Sequence, residues 1–184
     1  MKVIKDFGIY LPIIQLNISN WSDKKRKILN LYDETKLIDD DGILHNYNSH
    51  STGTHECKKL TDEYYNILKD DLDLVFKELK FKETSIYMVW FECAYQNMYH
   101  GVHNHGSTGF SSCLYLNYDE NVHEPLTLVA PYNEPNIGDM IQYQPKEITE
   151  GTLIVFPACL PHFTEPNKST KPRVVMSANY AGLT

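Results

Sequence analysis

From Thr84 onward the chain breaks into short apolar runs that are too brief for helices and too evenly interrupted for a few long strands. TSIYMVWFECAY, FSSCLYLNY, PLTLVAP, DMIQYQ, GTLIVFP and RVVMSANY follow one another. The turn signals between them are His-Gly, Asn-Glu-Pro-Asn, Pro-Lys-Glu and Pro-Asn-Lys-Ser. Short β-rich runs at this spacing predict an antiparallel sandwich or barrel, and helices that precede them predict a helical cover on one face. Their number and rhythm suit a double-stranded β-helix, the jelly-roll or cupin-like barrel. The expected fold class is therefore mainly β with N-terminal helices. The chain reads as one domain over residues 1–184, with 1–83 as helical and loop support and 84–180 as the barrel.

The supporting part has its own pattern. Residues 9–17, IYLPIIQLN, are β-rich and contain a proline, which suits an edge strand. Ser22-Asp23 before KKRKILNLYDE predicts a short capped helix. The stretch 35–56 is polar and has no periodic apolar pattern, so it reads as a long loop, a lid or substrate loop in functional terms. A helix follows with Leu60, Tyr64, Ile67, Leu68, Leu72, Val75, Phe76 and Leu79 at three- and four-residue steps. That helix carries an apolar face for a sheet and no chemistry of its own.

The net charge of −7 and the absence of a long basic run argue against a nucleic-acid backbone groove as the main function. The four cysteines are scattered without a CxxC pair; Cys93, Cys113 and Cys159 fall in strand-like runs, where a buried reduced thiol is expected. No apolar run is long enough to span a bilayer, and MKVIKDFGIYLPIIQLN lacks the apolar core and small-residue cleavage site of a secretory leader. The expectation is a soluble, intracellular, cytoplasmic protein. The edge strand at 9–17 offers a surface for pairing between subunits of a homo-oligomer.

The chemistry concentrates in two segments. YHGVHNHGSTGFSSCLY, Tyr99 to Tyr115, puts His100, His103 and His105 within six residues. Alternate side chains of an extended segment share a face, so His103 and His105 project together while Asn104 points away. Downstream, GTLIVFPACLPH ends on His162, the natural third ligand from another strand. Three imidazoles without a carboxylate suit a borderline first-row divalent cation rather than Mg²⁺ or Ca²⁺. His100 is close enough to His103 to compete with it or to stand behind it. His45, His50, His55 and His123 lie in polar stretches and read as surface residues. Arg173 heads an alternating strand in which Arg173, Val175, Ser177 and Asn179 share one face; an inward Arg there calls for an anion to meet it.

The order HNH, LYLN, GTLIVFPxxLPH, RVVMSAN resembles the Fe(II)- and 2-oxoglutarate-dependent oxygenases, and most closely a small group common in marine phages and bacteria. The resemblance covers residues 84 to 180. It implies a barrel in which His103, His105 and His162 hold Fe(II), and in which Arg173, eleven residues past His162, binds the far carboxylate of 2-oxoglutarate. Tyr115 matches a position from which prolyl-hydroxylase-like members donate a phenol to the same carboxylate. The family's usual metal-binding Asp or Glu after His-x is replaced by His105. The iron is then held by three neutral His, by two with a water, or with help from a distant acid such as Asp119 or Asp139. The implied activity is hydroxylation of a C–H bond coupled to decarboxylation of 2-oxoglutarate to succinate, with O₂ as co-substrate. Protein side chains, free amino acids and nucleobases all remain open as substrates. The polar 35–56 stretch is the candidate lid.

Two other readings compete. Gly151, Pro157, His162 and Pro166-Asn167 also resemble the second cupin motif, although Gly106 to Gly109 stand where the first motif needs a glutamate. A cupin-type metal enzyme that does not use 2-oxoglutarate has no need of Arg173. A non-catalytic jelly-roll binding module predicts no bound metal at all.

Overall fold

The computed structural model describes residues 11–40, 42–45 and 55–183. Among these residues eleven strands form two antiparallel sheets, with two α-helices laid against one of them. The strands are β1 (Ile14–Asn17), β2 (Ile38–Asp40), β3 (Ile43–His45), β4 (Glu83–Ala94), β5 (His100–His103) and β6 (Phe110–Asn117). They continue with β7 (Leu126–Asn133), β8 (Met140–Tyr143), β9 (Thr152–Pro157), β10 (His162–Thr164) and β11 (Arg173–Leu183). The helices are α1 (Trp21–Leu29) and α2 (His55–Glu78). The large sheet runs β1-β9-β6-β11-β4-β3-β2 and the small sheet β5-β10-β7-β8. The six strand runs read from the sequence are β4, β6, β7, β8, β9 and β11, and the two facing sheets are the expected double-stranded β-helix.

Strand alternation divides the large sheet into two faces of different chemistry. On β11, Val174, Met176 and Ala178 turn to the helices, while Val175 joins the core between the sheets. β6 sends Leu114 and Leu116 outward and Tyr115 inward; β9 sends Leu153 and Val155 outward and Ile154 and Phe156 inward. The outward set meets Tyr64, Leu68, Leu72, Val75 and Phe76 of α2 in one closed apolar cluster. The predicted periodicity of that helix is thus its buried face. Each such side chain contributes roughly 1.5–3 kcal/mol on burial, which accounts for a helix this long lying flat on the sheet. The part-buried Lys24–Asp71 ion pair ties α1 to α2.

Three details depart from the sequence reading. Helix α1 begins at Trp21, before Ser22-Asp23: Asn20 adopts a left-handed conformation (φ 50°), and its carbonyl accepts from the N–H groups of Asp23 and Lys24. Asn tolerates that conformation because its short polar side chain carries little steric penalty there. Asp23 instead pairs with Arg26 and Lys27 inside the first turns. The expected long loop contains a hairpin, β2–β3, turning at Gly42 and joining β4 through Leu44↔Cys93 and His45↔Glu92. Strands of three residues leave too few alternations to be seen in a sequence. Residues 41 and 46–54 of that stretch, His50 among them, and residues 9 and 10 of the first strand lie outside the described residues. Of the rest of that expected strand, residues 11–13 are irregular and Ile14–Asn17 form β1, at the edge of the large sheet as expected. Cys93 and Cys113 sit on strands, but Cys159 sits in the turn after β9; all three are free thiols.

Candidate metal centre

The two histidine segments meet across the small sheet. β5 and β10 pair antiparallel with His103 directly opposite His162. β9 delivers His162: its strand ends at Pro157, the chain turns through 158–160, and β10 starts on the histidine. His105 lies two residues beyond the end of β5, where its N–H donates to the Ala158 carbonyl at 2.9 Å. The same turn is fixed from the other side by Ala158 N–H donating to Gly109 O at 3.0 Å. Gly109 has φ +87°, and a Cβ there would stand 2.4 Å from the Tyr180 carbonyl oxygen, so only glycine fits.

One ligand nitrogen from each of His103, His105 and His162 lies within 4.8 Å of the other two. His105 Nε2 and His162 Nε2 are 3.2 Å apart. Two metal–nitrogen bonds of about 2.1 Å meeting near a right angle separate their nitrogens by about 3 Å, so this spacing fits a shared cation. The far sides of two rings are held by backbone. His103 Nδ1 is 2.8 Å from Gly101 O and His162 Nδ1 is 3.0 Å from Leu160 O. A carbonyl only accepts, so each Nδ1 carries the proton and each Nε2 keeps its lone pair for a metal. Burial, reinforced by the neighbouring His103, pushes His162 down to about 3 and His105 to about 4; burial also lowers His103. All three rings are therefore neutral at pH 7, the form that ligates. The donor set fits Fe(II).

His100 stands outside this cluster. Its ring stacks on His103, centroids 3.8 Å apart and 20° from parallel, and its Nδ1 faces Glu92 Oε2 at 3.2 Å. Glu92 is a buried carboxylate, 7% exposed, that the sequence reading did not single out. Its Oε1 accepts from Trp90 Nε1 at 2.7 Å and from Ser177 Oγ at 3.1 Å. Burial pushes this carboxyl up, but the His100 contact, then Trp90 and His103, outweigh it and hold it well below its usual range. The acids named as distant candidates do not approach the cluster. Asp119 pairs with Lys171 and accepts from Asn121, and Asp139 is exposed on the β7–β8 connection.

Arg173, Val175 and Ser177 line the same cavity as the histidines, as the alternation predicted. Arg173 is 4% exposed. Its guanidinium donates to Glu124 O at 2.9 Å and, at 3.4–3.5 Å, to Glu165 O. Among the described residues it forms no ion pair with a carboxylate. Tyr115 also lines the cavity; its phenolic oxygen accepts from Leu126 N–H at 3.1 Å, which leaves its own hydrogen to donate. His45 and His123, expected at the surface, are buried. His123 accepts from Asp119 N–H through Nδ1 and donates to Lys171 O through Nε2, joining two loops beside Arg173. Side chains that bridge loops give no periodic signal, which is why a polar stretch concealed them.

Comparison with known proteins places this geometry. The family described as "Putative 2OG-Fe(II) oxygenase" matches residues 88–179, half of the chain. The protein belongs to that family and is a 2-oxoglutarate-dependent non-haem iron oxygenase, with Fe(II) and 2-oxoglutarate as cofactors and O₂ as co-substrate. Among solved structures, a Pseudomonas putida prolyl-4-hydroxylase is similar at 16% identity and TM-score 0.59, covering 94% of this chain and 93% of its own. The viral collagen prolyl hydroxylase of Paramecium bursaria Chlorella virus-1, in complex with 2OG, is similar at 14% identity and TM-score 0.59, covering 94% and 96%. The epimerase SnoN, in complex with Fe³⁺, alpha-ketoglutarate and nogalamycin RO, is similar at 10% identity and TM-score 0.57, covering 92% and 78%. These likenesses show the shared barrel. No curated protein matches the sequence. No helix among the described residues is long and apolar enough to cross a membrane.

Proposed function

We propose that His103, His105 and His162 hold the Fe(II), and that Arg173, with Tyr115 beside it, holds the distal carboxylate of 2-oxoglutarate. The observation that carries this reading is Arg173: a buried guanidinium lining the histidine cavity, with only backbone carbonyls as hydrogen-bond partners among the described residues. Leaving such a charge without an anion is costly, and a planar fork is the natural donor for a carboxylate. A cupin that does not use the keto acid would have no use for it.

When bound, Fe(II), 2-oxoglutarate and O₂ together oxidise a C–H bond, with the keto acid released as succinate and CO₂. The chain's own task is positioning. The Nδ1–H bonds of His103 and His162 to backbone carbonyls hold two Nε2 lone pairs toward one point. Arg173 sets the direction from which the keto acid enters, and Phe156 and Val175 on the inner face exclude water. The expected outcome is hydroxylation of a protein side chain, a free amino acid or a nucleobase. We read residues 1–184 as one domain with 84–180 as its barrel, acting in the cytoplasm in keeping with its free thiols; β1, at the sheet edge, is where a second copy would pair.

The test is calorimetric titration of 2-oxoglutarate into Fe(II)-loaded protein under anaerobic conditions. Arg173→Met should weaken binding about a hundredfold, the scale of losing a charge-assisted bidentate contact. Unchanged affinity in that variant would show that Arg173 does not hold the distal carboxylate.

A further inference from the structure

The ligand set proposed above is neutral: three imidazoles and no carboxylate. A divalent cation buried among neutral ligands still needs negative charge nearby, because the surrounding apolar core cannot supply the hydration it has lost. The large sheet places one buried anion in the same cavity. Glu92 projects from the inner face of β4, opposite Val175 of β11, and lines the cavity with the three histidines.

We infer that Glu92 is the carboxylate of this metal site, acting from outside the ligand set as a fixed counter-charge that strengthens metal binding. It is not among the residues whose donor atoms converge within 4.8 Å. Its oxygens are already directed elsewhere, Oε1 by Trp90 Nε1 and Ser177 Oγ and Oε2 toward His100 Nδ1. Those three contacts come from β4, β11 and the start of β5, so the carboxylate is anchored by two sheets at once. The path from Glu92 to the metal runs through His100, whose ring lies flat on the ring of His103. The anion therefore stands one ring removed from His103, where it would offset the charge of a bound cation without itself being a ligand. The only other buried carboxylate among the described residues, Asp71, is taken up by Lys24 far from the cavity.

This inference rests on the three-histidine reading of the metal site, and the test separates the two. The readout is affinity for Co(II), titrated anaerobically into apoprotein without 2-oxoglutarate, so that no turnover is involved. Wild-type protein that binds no Co(II), or His162→Ala that binds it undiminished, would break the three-histidine reading. With that reading intact, Glu92→Gln keeps the shape and loses the charge, and should weaken Co(II) binding by tenfold or more, the range found for residues behind metal ligands. Glu92→Asp keeps the charge and should stay within about threefold of wild type. Ser177→Ala removes one hydrogen bond to the carboxylate but not its charge, and should also stay within about threefold. Equal losses in all three variants would mark Glu92 as a structural residue and overturn the inference, as would undiminished binding in Glu92→Gln. Should Glu92→Gln fail to fold, Glu92→Asp decides: a tenfold loss in that folded, charged variant contradicts a counter-charge role.

Discussion

The two faces of the large sheet are built from the same strands and do opposite things. The outer face of β11 contributes Val174, Met176 and Ala178 to a closed apolar layer under α2; the inner face of the same strand contributes Arg173 and Ser177 to a cavity with buried ions. Outside, these side chains are covered by residues of α1 and α2 among the described residues. Inside, Glu92 and Arg173 bear opposite charges in one cavity yet are held apart, the first by His100, Trp90 and Ser177, the second by the carbonyls of Glu124 and Glu165. Two buried charges that could neutralise each other, and do not, leave a polarised gap. On the reading proposed above, the histidines and Arg173 make up a surface whose complement is a bound metal and an anion rather than another part of the fold.

This contrast can be broken from the outer side first. Phe91→Ala, beneath the helices, should cost about 3–5 kcal/mol by leaving a cavity, measured by urea unfolding, while the folded fraction keeps its 2-oxoglutarate affinity. On the inner side, Arg173→Met should leave apoprotein stability unchanged or raised, since exchanging a buried charge for an apolar side chain of similar volume removes a desolvation cost. A large loss of stability in that variant, with binding retained, would invert the assignment of the two faces.

Acid sharpens the comparison further. Burial lowers His105 to about 4 and His162 to about 3 in the folded protein, below the ordinary value near 6.5. The unfolded chain then binds more protons than the folded one across that interval, so stability rises with pH there. The contribution is complete above about pH 6.5 and is lost progressively as pH falls toward 3. Metal-free thermal melts should show this loss, and His162→Ala should flatten it. The smallest expected effect is at Tyr115. Tyr115→Phe removes the acceptor for Leu126 N–H and should cost about 1 kcal/mol in stability, with a few-fold weaker 2-oxoglutarate binding.

Much of this site was legible because its signals are local. HNH spacing, His162 at the end of an apolar run and Arg173 at the head of an alternating strand each declare themselves within a few residues. Glu92 did not, since two of its three partners arrive from β5 and β11, and the third, Trp90 two residues back on β4, reads in sequence as one more apolar residue of YMVWFECAY. Its phase was the available clue: Glu92 shares the inner face with Trp90 and Ala94, as Arg173 does with Ser177. The β2–β3 hairpin escaped for a different reason, being too short to show a period. His123 and His45 were misplaced because polar composition was taken for exposure. A buried histidine bonded to backbone on both sides looks the same in sequence as a solvated one.

The most direct measurement is visible absorbance of the apoprotein during anaerobic addition of Fe(II) and then 2-oxoglutarate. A metal-to-keto-acid charge-transfer band should appear only after both additions, be absent in His162→Ala, and need far more 2-oxoglutarate in Arg173→Met. A band that persists in His162→Ala, or no band in the wild-type protein, would contradict a centre made by these three histidines.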